Sequence, residues 1–246
     1  GFSPGHMEDA AGYCSSITPF DVEGMKLVLE TIASEAGVNL LYHTVYTGCN
    51  IYESKITNVD LFSKNGSLSV QAKVFVDASA DADLATHAGV SSVYGREKDN
   101  LAQPMTMNFR VEGVDRNKVI EYIKSHREDM YPSVPFDRLN DLPRCAIIGA
   151  YSLVKLAKQN GDFDIDRDVV LCFETHVKGQ FIVNMSRVIK CNALDPFELT
   201  EAEIKGRKQA HKIAHFLKKY FPGFENSYII STGPNIGIRE SRKING

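Results

Sequence analysis

The 246-residue sequence contains no long apolar run and no excess of basic residues. No segment approaches the roughly 20 consecutive apolar residues that a membrane-spanning helix requires. The 28 lysines and arginines are outnumbered by 31 aspartates and glutamates. Because binding to nucleic acid depends on clustered positive charge, the composition predicts no nucleic-acid partner, and the lack of an apolar span predicts no membrane partner.

Closely spaced cysteines are also missing. None of the five cysteines belongs to a Cys-x-x-Cys pair, which zinc and iron–sulfur sites commonly use. The sequence therefore predicts no metal site. An odd number of scattered cysteines is typical of reduced thiols, so a reducing compartment such as the cytoplasm is favoured. These cysteines are Cys14, Cys49, Cys145, Cys172 and Cys191.

Two common catalytic signatures are absent as well. The sequence has neither the G-x-S-x-G of a nucleophile elbow nor the G-K-[ST] of a phosphate-binding loop. A serine hydrolase built on that elbow and a P-loop nucleotide hydrolase are therefore excluded.

The first element that the sequence does predict is a helix. Apolar residues recur at helical spacing over residues 20–36. Asp21 or Thr18 is placed to cap its start, and Gly37 stands where a helix commonly ends.

Strand patterns follow this helix. The sequence predicts one strand over residues 38–45 and another over the apolar run 74–78. Asn65-Gly66 lies between alternating segments and predicts a tight hairpin. We expect the two strands to pair in parallel, with a small antiparallel meander between them.

The pattern changes after about residue 94 to mixed strands and helices. The longest helix is predicted to begin at Thr200, because Thr200 and Glu203 fit a capping box, and to end before Pro222-Gly223. The predicted fold class is α/β with mixed α+β character, arranged in two lobes.

The segment around Asp77 carries the clearest functional signal. An apolar run ends in Asp77, continues through the small residues Ala78, Ser79 and Ala80, and leads into a helix that Asp81 or Asp83 could cap. Small residues at the carboxyl end of a buried strand allow a ligand to approach the main chain, and a helix start offers N–H groups to phosphate. From these residues alone, an ordinary strand-to-helix turn explains the pattern equally well.

This segment resembles the second dinucleotide-contact motif of FAD-dependent oxidoreductases, an apolar strand followed by Asp-Ala-Thr-Gly-Asp-Gly-Asp-Leu. Ser79 stands in place of the threonine, and Ala80 and Ala82 replace the two glycines. Further stretches resemble the flavin-binding part of heterodisulfide reductase and the fumarate-reductase-like flavoproteins. They cover residues 20–26, 75–90, 103–110, 181–187, 220–224 and 237–244.

The resemblance implies a domain organisation. Residues 1–93 would form part of a Rossmann-like FAD-binding domain that contains the meander. Residues 94–230 would form a mixed α/β substrate or cap domain, and residues 231–246 would return towards the FAD domain.

The resemblance also implies FAD as cofactor, an oxidoreductase activity on an unidentified small molecule, and a set of site residues. Arg187, Arg239 and Arg242 would face the substrate or the flavin. Without the resemblance, a solvated charge cluster is the simpler interpretation of Arg239 and Arg242. The residues implied to contact FAD are Val45, Asp77, Ala78, Ser79, Ala80 and Asp81.

No G-x-G-x-x-G turn occurs anywhere in the sequence, although flavoproteins of this kind use one to hold the pyrophosphate. We therefore interpret the chain as an interior fragment of a longer flavoprotein, which by itself binds FAD weakly or not at all. The alternative is a non-catalytic ligand-binding or interaction domain that keeps the architecture without the cofactor. Either interpretation is compatible with a homo-oligomer.

Overall fold

A computed structural model describes residues 2–245. In these residues the helices are α1 Val22–Glu35, α2 Asp83–His87, α3 Arg116–Ser125, α4 Tyr151–Gln159 and α5 Pro196–Tyr220, with a short 3-10 helix at Arg127–Asp129. The first six strands are β1 Met7–Glu8, β2 Ser16–Ile17, β3 Thr44–Tyr52, β4 Lys55–Ser63, β5 Gly66–Val70 and β6 Ser92–Tyr94. The remaining strands are β7 Phe109–Glu112, β8 Ala146–Gly149, β9 Val170–Glu174, β10 Phe181–Val183, β11 Tyr228–Thr232 and β12 Arg242–Ile244.

The chain divides into two compact units. Unit 1 contains the residues up to Lys26 together with 104–191 and 195–239. Unit 2 contains residues 27–103 and 192–194 and the residues from Glu240 onward. The mixed α/β fold class predicted from the sequence is confirmed, whereas the domain limits inferred there stay a prediction.

Unit 1 is built on a five-stranded antiparallel sheet in the order β11-β7-β10-β9-β8. Side chains alternate between its two faces, as the pleat of a strand requires. Phe109, Phe181 and Cys172 belong to the fully buried face, and the intervening positions of these strands are half-exposed. The sheet therefore has one face in the core and one that is partly open.

Aromatic side chains join the buried face of the sheet to the helices. The ring of Phe181 lies 5.8 Å from that of Phe224, which in turn lies 5.4 Å from the ring of Phe221. Phe221 then contacts Tyr122 of α3 at 4.9 Å between ring centroids. This chain of rings packs the turn after α5 and the helix α3 onto the same core.

Helix α5 begins earlier than the capping box predicts. Its N-cap is Asp195, whose side chain accepts hydrogen bonds from the N–H groups of Phe197 at 2.8 Å and Glu198 at 2.9 Å. Thr200 lies inside the helix, where its hydroxyl donates to a main-chain carbonyl oxygen one turn back. The predicted cap is wrong because an aspartate followed by proline gives an equally good start signal one turn earlier.

The local signals of the first third are confirmed. The Asp21 carboxylate accepts a hydrogen bond from the Gly24 N–H at 2.8 Å and caps α1, and Gly37 follows the helix with a φ of +70°. In unit 2, β3, β4 and β5 form an antiparallel meander. The predicted hairpin forms, with Ser63 paired to Gly66 and with Lys64 and Asn65 as the two loop residues.

The predicted parallel strand pair is wrong. Residues 38–43 and 74–78 belong to no strand, and β3 starts at Thr44 as the first strand of the meander. The apolar side chains that suggested buried strands are exposed, for example Leu41 at 61% and Val76 at 82%. An apolar run predicts burial, but a strand forms only where a second strand supplies hydrogen-bonding partners.

Candidate functional site

The segment around Asp77 forms a hydrogen-bonded turn in unit 2. The Asp77 carboxylate accepts hydrogen bonds from the Ser79 N–H at 3.0 Å, the Ser79 hydroxyl at 2.6 Å and the Ala85 N–H at 2.9 Å. These donors, led by the Ser79 hydroxyl, hold the pKa of Asp77 below its usual range. Asp77 therefore fixes both the turn and the first turn of α2.

The predicted capping of α2 by Asp81 or Asp83 is wrong. The N-cap position is Ala82, which makes no side-chain capping bond and has a φ of +54°. This left-handed conformation is the one that glycine adopts with least strain, and glycine is the residue that the resembling motif has at this position. The main chain therefore keeps a turn that suits glycine, although the side chain is a methyl group.

The implied cofactor residues are only partly brought together. Asp77, Ala78 and Ser79 line a cavity of about 260 Å³ in unit 2. Ala80 lies exposed beside them, and Asp81 is half-buried. Val45 is 64% exposed and is absent from the cavity lining.

The last two residues of the Arg239–Arg242 motif, Ser241 and Arg242, form hydrogen bonds with this turn. Arg242 donates from Nη1 to the Asp83 carboxylate at 2.6 Å and to the Asp81 carbonyl oxygen at 2.9 Å. The hydroxyl of Ser241 donates to the Asp81 carboxylate. Two segments about 160 residues apart in sequence therefore form one hydrogen-bonded unit within unit 2.

Truncating Arg242 is expected to destabilise unit 2. The Arg242 side chain is only 24% exposed, so Arg242→Ala should lower the free energy of unfolding by about 1–2 kcal/mol, the range of a charge-assisted hydrogen bond. Urea denaturation followed by circular dichroism measures this effect. Lys26→Ala is the matched control, because its ion pair with Glu23 is exposed and should contribute under about 0.5 kcal/mol. Equal stability of Arg242→Ala and wild type would contradict the structural role.

The other predicted arginines, Arg187 and Arg239, lie in unit 1. The main chain sets their positions through Met105 and Thr106, which bridge to Val188 on one side and to Gly237 on the other. Arg187 immediately precedes Val188, and Arg239 lies two residues after Gly237. The structure therefore places Arg187 and Arg239 in unit 1 and Arg242 in unit 2.

Sequence reasoning missed a third arginine in unit 1, Arg167. Its Nη2 donates to the Asn184 carbonyl oxygen at 3.3 Å, whereas its Nε is buried without a partner in the described part of the chain. Burial, together with the positive charges of Arg187 and Arg239, lowers the pKa of Arg167. An exposed counter-charge of Arg187 is the Asp166 carboxylate, 3.5 Å from its Nη1. The sequence did not indicate this arginine cluster, because the aspartates on both sides of Arg167 are typical of an exposed acidic loop.

A family model described as FAD dependent oxidoreductase matches residues 4–246. The chain belongs to this family. A crystal structure of a geranylgeranyl bacteriochlorophyll reductase-like protein from Thermoplasma acidophilum is similar in fold, with a TM-score of 0.50 and 15% sequence identity. The similarity covers 92% of this chain and 45% of that protein, so the chain spans about half of its length. No curated protein matches the chain.

Family membership confirms the sequence-based recognition, and FAD is the cofactor that the family implies. The residues around Asp77 fit part of such a cofactor, because an exposed turn of small residues borders the 260 Å³ cavity. That volume lies below the usual range for drug-sized ligands. The cavity is therefore too small for a whole dinucleotide and would hold only part of such a cofactor.

Residues 2–245 contain neither a metal-binding cluster nor a helix that could span a membrane. No group of three or more histidine, cysteine, aspartate or glutamate side chains is arranged to hold a metal ion. No helix in the same range combines the length and the apolar character needed to cross a membrane.

Proposed function

We propose that this chain provides part of the FAD site and the substrate-binding part of a longer FAD-dependent oxidoreductase that acts on a small molecule. One observation carries the proposal: the Asp77 turn is tied to Ser241 and Arg242, while its small residues stay exposed. Such a turn presents main-chain atoms to a ligand and is itself held rigidly. Membership of the family supports FAD as that ligand.

Each group of residues has a distinct role in this proposal. FAD, when bound, supplies the redox chemistry. Asp77 fixes the turn, and the main chain from Ala78 to Ala80 lies against the cofactor. In unit 1, Arg187 and Arg239 bind an anionic group of the substrate, because guanidinium groups bind carboxylates through paired hydrogen bonds. The buried Arg167 adds positive charge to the same cluster.

Exposed apolar side chains support the proposal that further residues complete unit 2. Leu27, Leu29 and Ile32 of α1 are more than half exposed, and so are Val74 and Val76. Large exposed apolar side chains in this number favour contact with other protein segments. A glycine-rich dinucleotide-binding segment, which this sequence lacks, is the segment that we propose covers it.

The second candidate is a non-catalytic domain that keeps the architecture without the cofactor. The observation that favours it is the pair of alanines, Ala80 and Ala82, at the positions of the motif's two glycines. Their methyl groups narrow the approach to the main chain. Retention of flavin by the extended protein would decide between the two candidates.

FAD titration tests the proposed function. The 246-residue chain alone should show no saturable submicromolar binding when flavin fluorescence is followed, because pyrophosphate binding in this fold depends on the glycine-rich turn. The protein extended upstream to include that turn should purify with bound flavin. In the extended protein, Asp77→Ala should weaken FAD binding at least about tenfold, since about 1.4 kcal/mol is lost with the turn's three hydrogen bonds.

Asp137→Ala is the control for this variant, because Asp137 is a highly exposed aspartate of unit 1. Submicromolar binding by the 246-residue chain would contradict the fragment interpretation. An extended protein without flavin would instead favour the non-catalytic domain.

A further inference from the structure

A second cavity, of about 380 Å³, lies within unit 1 on the half-open face of the five-stranded sheet. Its floor is a row of three side chains that are register partners on neighbouring strands, Arg110, Ile182 and Phe173. The segment from Ile17 to Glu23 forms the wall of the cavity opposite this floor. The volume falls within the range of small-molecule sites.

The wall formed by this segment is held by main-chain contacts. Strand β2 pairs with β1, the Asp21 N–H donates to the Phe2 carbonyl oxygen at 2.7 Å, and the Ser3 hydroxyl donates to the Pro19 carbonyl oxygen at 2.6 Å. Ile17, Pro19, Phe20 and Val22 make it largely apolar. The cavity is therefore preformed, which lowers the entropic cost of binding a ligand.

Two guanidinium groups line this apolar cavity, those of Arg110 and Arg144. Arg110 donates from Nε to the Ser231 hydroxyl at 2.9 Å. Arg144 donates from Nη1 to the Glu174 carbonyl oxygen at 3.4 Å, and its Nη2 is buried without an acceptor among residues 2–245. Burial lowers the pKa of Arg144, and the negative charge of Glu174 acts in the opposite direction. Among the ion pairs of the described residues, none includes either arginine.

The acidic groups around the cavity already have partners. The Glu174 carboxylate contacts Arg116 Nε at 3.1 Å and accepts the Cys145 and Gly179 N–H groups. Asp21 caps α1 and lies 3.4 Å from Nε2 of His176. Glu23, at the rim, pairs with Lys26 outside the cavity at 3.0 Å. In the described residues neither arginine therefore has a carboxylate within ion-pair distance, although the charges of Asp21 and Glu174 act at longer range on Arg110 and Arg144 respectively.

We propose that this cavity binds a small amphipathic carboxylate. Its apolar body packs against Phe173, Ile182 and Phe20, and its carboxylate accepts hydrogen bonds from Arg110 and Arg144. Hydrogen bonds between a guanidinium and a carboxylate are among the strong ones in proteins, and an apolar surrounding strengthens them further. This site is separate from the Arg167 cluster and does not require FAD.

Isothermal titration of the 246-residue chain with octanoate and with 1-octanol tests the proposal. Octanoate should bind saturably at one site, and octanol, which has the same chain length without charge, should bind at least about tenfold more weakly, as expected for loss of a charge-assisted hydrogen bond. Arg110→Gln and Arg144→Gln should each weaken octanoate binding by about tenfold and leave octanol binding unchanged.

Arg127→Gln is the matched control, because Arg127 pairs with the exposed Asp137 and does not line the cavity. Circular dichroism checks that each variant is folded. If Arg144→Gln does not fold, octanoate binding by Arg110→Gln alone tests the proposal. Equal affinity for the two ligands, unchanged octanoate binding in both cavity variants, or no octanoate binding at millimolar concentration would overturn the proposal. FAD titration results have no bearing on this outcome, so the two proposals fail separately.

Discussion

Arg116→Ala is expected to lower the free energy of unfolding by about 3–5 kcal/mol, the cost of breaking a buried ion pair by removing one partner. The partner that remains is Glu174, whose side chain is only 1% exposed. With Arg116 removed, the Glu174 carboxylate would stay buried without its ion-pair partner. The desolvation of an unpaired charge is one of the few effects of a single substitution that reach this size.

The position of Glu174 at the end of β9 gives this ion pair a wider role. Its carboxylate accepts the N–H of Cys145 at 2.7 Å, just before β8, and the N–H of Gly179 at 3.0 Å, just before β10. Arg116 belongs to the first turn of α3 and also donates to the Leu142 carbonyl oxygen at 2.7 Å. The pair therefore joins one end of the sheet to α3.

Urea denaturation followed by circular dichroism measures the loss in Arg116→Ala. Arg127→Ala is the control, because its ion pair with Asp137 is exposed and should contribute under about 1 kcal/mol. The double variant Arg116→Met with Glu174→Gln should be less destabilised than Arg116→Ala, since no unpaired carboxylate remains buried at position 174. A loss below about 1 kcal/mol in Arg116→Ala would show that Glu174 is compensated without Arg116.

Arg239→Ala and Arg187→Ala are expected to lower kcat about a hundredfold in the full-length, flavin-loaded protein. If these side chains hold an anionic group whose charge grows in the transition state, losing one donor costs on the order of 3 kcal/mol in activation free energy. Both side chains are at least partly exposed, so the melting temperature should change little. Steady-state kinetics and thermal unfolding of the same preparations measure the two quantities.

Arg96→Ala is the control for both variants, because Arg96 forms an exposed pair with Asp99 in unit 2. Unchanged turnover in Arg239→Ala and Arg187→Ala would contradict a role in catalysis and leave both residues as ordinary surface charges. The sequence predicts the same catalytic role for Arg242. That role stays a prediction, and the contacts of Arg242 with Asp81 and Asp83 add an expected loss of stability to it.

Local signals in the sequence were enough for several parts of this protein. The Asn65-Gly66 hairpin, the Asp21 cap and the Gly37 stop of α1 are confirmed, because each depends on hydrogen bonds and backbone angles within a few residues. The family was also recognisable from short stretches in a fixed order, and the matching family model confirms it. The turn at Asp77 was identified by the same means, although its function stays a prediction.

Only the tertiary structure decided which distant segments meet. The sequence suggested strands at 38–45 and 74–78, but strand formation depends on a partner, and apolar character does not supply one. Of the three predicted arginines, Arg187 and Arg239 lie in unit 1 and Arg242 lies in unit 2. Arg167 interacts electrostatically with Arg187 and Arg239. Long-range strand bridges, rather than neighbouring residues, set these positions. The cavity beside Arg110 and Arg144 likewise exists only because β7, β9 and β10 align in register beneath residues 17–23. Hydrogen bonds between residues close in sequence are specified locally, whereas pairing across about 60 to 160 residues depends on the packing of the whole chain.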